Sequence, residues 1–235
     1  VIYPACDFES IPLEDTGVRL DCPIGDRSVR VRVWSMKMGR VPLYLLDANL
    51  PGNRVEDRAL TASLYQGDDD LRLQRQVLLG VGGFRALRLL EEVPTVIHLN
   101  EGHAAFQILE RCRHTMVSGL SFEAALEAVA GATLFTTHTP VPAGHDIFPR
   151  SLVHHALGRY IEESALDFDQ VFALGSKDGG DSFNMTSLGL RGSRFHNGVS
   201  RIHGGVASLM EGDIWPQVPS AENPIGYITN GVHVP

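Results

Sequence analysis

Residues 29–34 read VRVRVW, a strict alternation that sets Val29, Val31 and Val33 on one face and Arg30 and Arg32 on the other. This is the pattern of a strand with one face in a core. The preceding VRLDC, with Pro23, Gly25 and Asp26 as turn residues, predicts a peripheral antiparallel hairpin near the amino terminus. VPLYLLD at 41–47 is a nearly unbroken apolar run and predicts a strand covered on both faces within a parallel sheet. After the NLPGN loop, GDDD at 67–70 leads into a helical pattern carried by Leu71, Val77, Leu78, Val81, Phe84, Leu87 and Leu90. The aspartate run falls where a helix amino terminus favours negative charge.

Beyond it, PTVIHLN at 94–100 predicts a short strand, and residues 103–117 a helix with Phe106, Ile108, Leu109, Cys112 and Met116 apolar. Ser121 is placed to cap a further helix, SFEAALEAVAG. ATLFTT at 132–137 is the next strand, helices are expected near 150–163, 184–191 and 199–210, and IGYITN at 225–230 is the last strand. The alternation of strands and helices defines an α/β fold, a mostly parallel sheet flanked by helices. We divide the chain into a hairpin segment over 1–40 and an α/β lobe over 41–235.

Composition narrows the class. The chain of 235 residues is 43% hydrophobic and 20% charged, ordinary for a globular protein with a sizeable core. No apolar run approaches the ~18 residues a membrane-spanning helix needs, and VIYPACDFES has no basic start followed by an apolar stretch, so neither a membrane partner nor a signal peptide is expected. A net charge of −8 without a basic cluster argues against nucleic acid. Three scattered cysteines, Cys6, Cys22 and Cys112, favour a reducing, cytoplasmic setting without a disulfide framework. The chain lacks an initiator Met and stops at GVHVP, which reads as a piece of something longer.

Three predicted strands end abruptly in polar residues: Asn100, Glu101 and His103 after the first, His138 and Thr139 after the second, Asn230 and His233 after the third. In open parallel sheets ligands bind beyond the carboxyl ends of the strands. A set of hydrogen-bonding side chains there, with no cationic cluster, suits a hydroxyl-rich ligand better than a phosphate. Each residue has a plainer reading. Glu101 would serve a helix terminus, His103 would be a core histidine, and His138 would sit in a rigid Pro-rich turn. The repetition at three strand ends favours a site. H-x-x-E-x-H fits no metal-ligand spacing, so no metal is expected. GVGGFR at 80–85 lies within a helical pattern, where close helix packing explains the glycines. The NMT sequon at 184–186 falls in a predicted helix.

The segments GRVPLYLLDANLPGNRVEDRALTASLYQGDDDLRLQRQVLLGVGGFRAL, VIHLNEGHAAF, FTTHTPVPAGHDIFP, FNMTSLGLRGSRFHNGVSRIHGGV and ITNGVHVP, in this order and spacing, cover most of residues 29–235. Together they resemble the α-glucan (glycogen, starch, maltodextrin) phosphorylases, especially the short bacterial and archaeal branch. The resemblance implies part of the amino-terminal lobe of a two-lobed enzyme that cleaves terminal α-1,4-linked glucose with inorganic phosphate to give glucose 1-phosphate. It implies α-1,4-glucan or maltodextrin, phosphate and glucose 1-phosphate as partners, a candidate homo-oligomer, and pyridoxal phosphate on a lysine outside this chain, with no cofactor held here. His138 matches the family histidine at the reacting glucose, with Thr139 beside it. Glu101 stands where animal enzymes carry Asp, and His103 matches the nearby histidine. Asp68 falls in a segment matching a mobile gating loop, shorter here. The expected site is therefore catalytic His138 with Asp68, Asn100, Glu101, His103 and Thr139 binding substrate. Two other classes fit less well: a nucleotide-sugar glucan synthase lobe and a non-catalytic carbohydrate-binding module.

Overall fold

A computed structural model describes residues 11–62, 67–177 and 179–232. Strands β1 (Glu14–Ile24) and β2 (Arg27–Met38) form the expected hairpin, closed through Gly25 at φ 61°. Val29, Val31 and Val33 are fully buried and Arg30 is exposed, as the alternation requires. Arg32 is largely covered, its side chain 24% exposed. Its guanidinium lies 4.2 Å from the Trp34 ring centroid and donates to Asp47 at 2.6 Å.

The strand at 41–47 is a correction. β3 (Val41–Asp47) belongs to the amino-terminal antiparallel sheet, pairing with β2 from Arg32↔Asp47 to Met38↔Val41. It is an edge strand with Val41 58% exposed, not a strand covered on both faces. The reason is connection length. Only Gly39 and Arg40 separate it from β2, and two residues close a hairpin, whereas a parallel partner needs a crossover of roughly a dozen or more.

A short helix α1 (Val55–Arg58) precedes one continuous helical run made of α2 (Asp69–Val77), a π-helical turn (Leu78–Gly82) and α3 (Gly83–Leu89). The Asp68 carboxylate caps it, accepting from the Leu71 amide at 3.0 Å. The π turn falls where this helix crosses the later helix at 107–116. A Cβ on Gly80 would stand 2.8 Å from both the Gln107 amide nitrogen and Phe106 Cβ, so the glycine is there for close approach.

The second half alternates: β4 (Ile97–Asn100), α4 (Gln107–Met116), α5 (Phe122–Gly131), β5 (Thr133–Thr137), β6 (Ile147–Pro149), α6 (Arg150–Ser164), α7 (Phe168–Gly175), β7 (Ser182–Asn184), α8 (Met185–Arg191), β8 (Phe195–Gly198), α9 (Arg201–Met210) and β9 (Ile225–Tyr227). Four of these strands make a parallel sheet in the order β4-β5-β8-β9. The FHNG strand β8, too short and polar to read as a strand by its own pattern, takes the place that the sequence assigned to 41–47. β6 and β7 pair as a small antiparallel ladder. Phe135 at the sheet centre and Phe106, Ile108, Leu109 and Met185 on the covering helices are buried at or below 2%. Leu20, Cys22 and Ile24 of β1 join the same core, so the hairpin sheet is fastened to the lobe by apolar burial.

Ser121 caps α5 as expected, accepting from the Ala124 amide at 3.3 Å. Asn184, the sequon residue, is buried and caps α8 by accepting from the Thr186 and Ser187 amides. Cys22 and Cys112 are buried free thiols, and burial pushes each up to about 12. Cys6 and His233 lie outside the described residues. Among the described residues no helix is long and apolar enough to cross a membrane.

Candidate functional site

β4 and β5 are parallel and adjacent, with Asn100 level with Thr136. Their carboxyl ends therefore bring Asn100–Glu101 and His138–Thr139 to one edge of the sheet. β8 and β9 end on the same edge. The chain beyond β9 stays beside them, its Asn230 amide donating to the Val199 carbonyl at 3.1 Å. Asn100, Glu101, His138, Thr139 and Asn230 are thus brought together at one edge.

Glu101 adopts φ 66°, rare for a residue with a side chain. It makes no side-chain cap to the 3₁₀ turn that follows at Gly102–Ala104, so the helix-terminus reading does not describe it. Its backbone amide donates to the Thr136 carbonyl at 2.9 Å. Its Oε1 accepts from the His138 amide, from Thr139 Oγ1 at 3.1 Å and from Thr137 Oγ1 at 3.3 Å. One carboxylate therefore ties the end of β4 to the loop leaving β5 and leaves the His138 ring exposed at the edge.

Polar groups beneath fix this arrangement. His203, in the first turn of α9, accepts the Val199 amide at Nδ1 (3.1 Å), so its Nε2 carries the proton and donates to the Thr139 carbonyl at 3.1 Å. Thr136 Oγ1 donates to Asn197 Oδ1 at 2.9 Å and so receives its 2.7 Å contact from a protonated His98 Nε2. Gly144 closes the loop, since a Cβ there would meet Thr139 Cγ2 at 2.8 Å.

His103 is neither a core histidine nor part of the Glu101 cluster. It is half exposed, and its Nδ1 lies 3.2 Å from Asp146 Oδ2. Asp146 also receives the Arg72 guanidinium and, at 2.5 Å, Gln76 Nε2. The hydrogen bond to Asp146 raises the His103 imidazole above its usual range. Burial pushes the Asp146 carboxyl up, but the donors His103, Arg72 and Gln76 outweigh it and hold the group below the usual carboxylate range. Asp68 stands apart from Glu101 in role, its carboxylate engaged as the α2 cap.

Sequence reasoning missed Asp146, Arg72, Gln76, His203 and Asn197. Only Asp146 carried a local signal, as the last polar residue before the apolar pair of β6.

Described chemically, this is an α/β lobe whose carboxyl-edge loops offer neutral hydrogen-bonding groups, with the nearby carboxylates already satisfied. Such an edge suits hydroxyl groups.

No family model matches the chain. The curated relatives do. The chain is 43% identical to a maltodextrin phosphorylase of Thermococcus litoralis over 99% of its own length and 28% of that protein. It is 40% identical to a glycogen phosphorylase of Mycobacterium tuberculosis over 99% of the chain and 29% of that protein. It is 34% identical to a glycogen phosphorylase of Aquifex aeolicus over 95% of the chain and 32% of that protein. By sequence the chain matches part of the glycogen and maltodextrin phosphorylases of short bacterial and archaeal type. It spans less than a third of the length of these relatives.

Proposed function

We propose that this chain is the sugar-side part of an α-1,4-glucan phosphorylase, which releases the terminal glucose of a glucan or maltodextrin to inorganic phosphate as glucose 1-phosphate. The observation that carries the reading is the carboxyl edge of the parallel sheet. There Glu101 holds the His138–Thr139 loop and leaves the His138 imidazole free to meet a sugar hydroxyl. In this reading Glu101 acts by placing the loop, Asn100 and Thr139 line the same edge, and His103 with Asp146 forms its flank. The parallel-sheet lobe supplies these contacts, and the amino-terminal sheet, which takes in 41–47 as its third strand, supports it through the shared core. The free buried thiols suit a cytoplasmic protein, and a homo-oligomer of the whole protein remains part of the proposal.

The described residues do not fit pyridoxal phosphate. A Schiff base needs a lysine poised at the cleft. The ammonium of Lys177 pairs with Glu211 at 2.9 Å and Asp213 at 3.3 Å, and Lys37 is exposed on β2 in the antiparallel sheet. Arg72 is likewise paired with Asp146, and Arg194 lies at the opposite, amino end of the sheet and pairs with Glu127, so in this reading Arg201 at the start of α9 falls short of the set of cations a phosphate needs. In this reading the cofactor and phosphate sites belong to sequence outside this chain. Residues 1–235 alone, given pyridoxal phosphate, phosphate and maltodextrin, are expected to turn nothing over.

The test uses the complete natural polypeptide that carries this sequence, with maltodextrin and phosphate, following glucose 1-phosphate. His138→Ala should lower kcat/KM about 100-fold, the scale of losing a hydrogen bond that strengthens in the transition state. Unchanged kinetics would remove His138 from the site. A wild-type protein that forms no glucose 1-phosphate would refute the function itself.

A further inference from the structure

The loop that carries His138 has a second anchor. At its far end the side chain of His145 is 2% exposed, and neither ring nitrogen has a hydrogen-bond partner. Its Nε2 stands 3.6 Å from Oε1 of Glu211, a side chain 1% exposed at the carboxyl end of α9. The other oxygen of Glu211 receives Lys177 Nζ at 2.9 Å, and Lys177 also reaches Asp213 at 3.3 Å. Three separate stretches of chain, the 138–146 loop, Lys177 after α7 and the end of α9, thus converge on one buried carboxylate.

Such a group is a poor device for stability. Taking charges out of water costs free energy that a buried pair barely recovers, and apolar side chains of the same volume commonly do as well. What a buried carboxylate clamped by an ammonium does provide is a single geometry, because displacing Lys177 strands the charge. α9 is the element through which that geometry acts. His203 in its first turn holds the Thr139 carbonyl, and Glu211, about 12 Å further along the helix axis, faces His145 at 3.6 Å. The loop is therefore hydrogen-bonded to the amino end of one rigid helix and rests its buried His145 against the carboxylate at the other end, with Thr139 and Gly144 close together between them.

We propose that Glu211, clamped by Lys177 and facing His145, is a positioning residue that fixes the His138–Thr139 loop for sugar binding. This rests on the phosphorolysis reading above. Glu211 touches no substrate in it and acts only through the loop.

The experiment is a double-mutant cycle in the complete natural polypeptide, with kcat/KM for maltodextrin measured per folded molecule well below the Tm of every variant. E211Q keeps the volume and removes the charge. It should lower kcat/KM about tenfold in the wild-type background, since small displacements of a positioning group carry losses of this order or more. In the His138→Ala background the loss should be less than twofold, because the group being positioned is gone. Lys177→Met, which removes the clamp and spares the carboxylate, should reproduce the pattern, and it serves as the test if E211Q does not fold. An equal loss in both backgrounds would make the role merely structural, and no loss in the wild-type background would leave the loop indifferent to Glu211. Either result overturns the inference while phosphorolysis by the wild type stands. A wild type without activity sinks the proposed function first, and this inference with it.

Discussion

Replacing Asp146 by Asn should separate an electrostatic hub from a passive contact. The carboxylate is 14% exposed and takes three donors from two elements: Arg72 and Gln76 on α2, and His103 in the turn after β4. Asn keeps one acceptor oxygen and turns the other into a donor facing donors. It also strands the Arg72 guanidinium, which is 39% exposed and keeps a second carboxylate, Asp69, at 3.3 Å. Loss of a fully buried partner costs ~3–5 kcal/mol. Half-open Arg72 and His103 reduce that, and we expect ~2–3 kcal/mol, close to the loss of one or two charge-assisted hydrogen bonds. For a chain of this size that is a fall in Tm of roughly 4–12 °C.

The pH dependence carries the sign. Asp146 is depressed in the folded protein, so its contribution is present above its unfolded value near ~4 and is lost as pH falls through the lower folded value. His103 is raised, so its contribution is complete below ~6.5 and is lost as pH rises through the higher folded value. The gap in Tm between wild type and Asp146→Asn should be widest between about pH 4 and 6.5. It should narrow partly above that range, with the Arg72 share remaining, and should close in acid. Scanning calorimetry across pH measures this, and the imidazole resonances of His103 should titrate lower in the variant. A gap below about 1 °C, or a His103 titration that does not move, would refute the account.

Two further outcomes follow from packing and burial. Gly80→Ala gains helix propensity of ~1 kcal/mol but drives a methyl into Gln107 and Phe106, an overpacking cost of ~1–3 kcal/mol; urea unfolding should show a net loss of roughly 1 kcal/mol, and a gain would mean that α4 yields freely. Cys22 and Cys112, buried and pushed up to about 12, should resist alkylation at pH 8 until the chain unfolds, which site-resolved mass spectrometry after a short pulse can read.

The pattern along the chain determined those features that depend on nearest neighbours in sequence. Period-two alternation made Val29, Val31 and Val33 an inward face, and the helical spacing after GDDD made one long helix. The abrupt change from apolar to polar after residues 99 and 137 marked the strand ends where Glu101 and His138 now stand. Tertiary structure decided which strand lies beside which. An apolar run looks alike in an edge strand and a central one, so 41–47 could be placed only through its two-residue link to β2, and FHNG became a strand because its neighbours β5 and β9 supply its ladder. It also decided what the polar side chains do. Glu101 finds its partners 36 to 38 residues away, Asp146 finds Arg72 at a separation of 74, and Lys177 finds Glu211 at 34. Hydrophobic periodicity records which face of an element is buried. It has no term for which distant donor meets which acceptor, because that depends on the relative placement of whole elements, and the placement exists only once the core has formed.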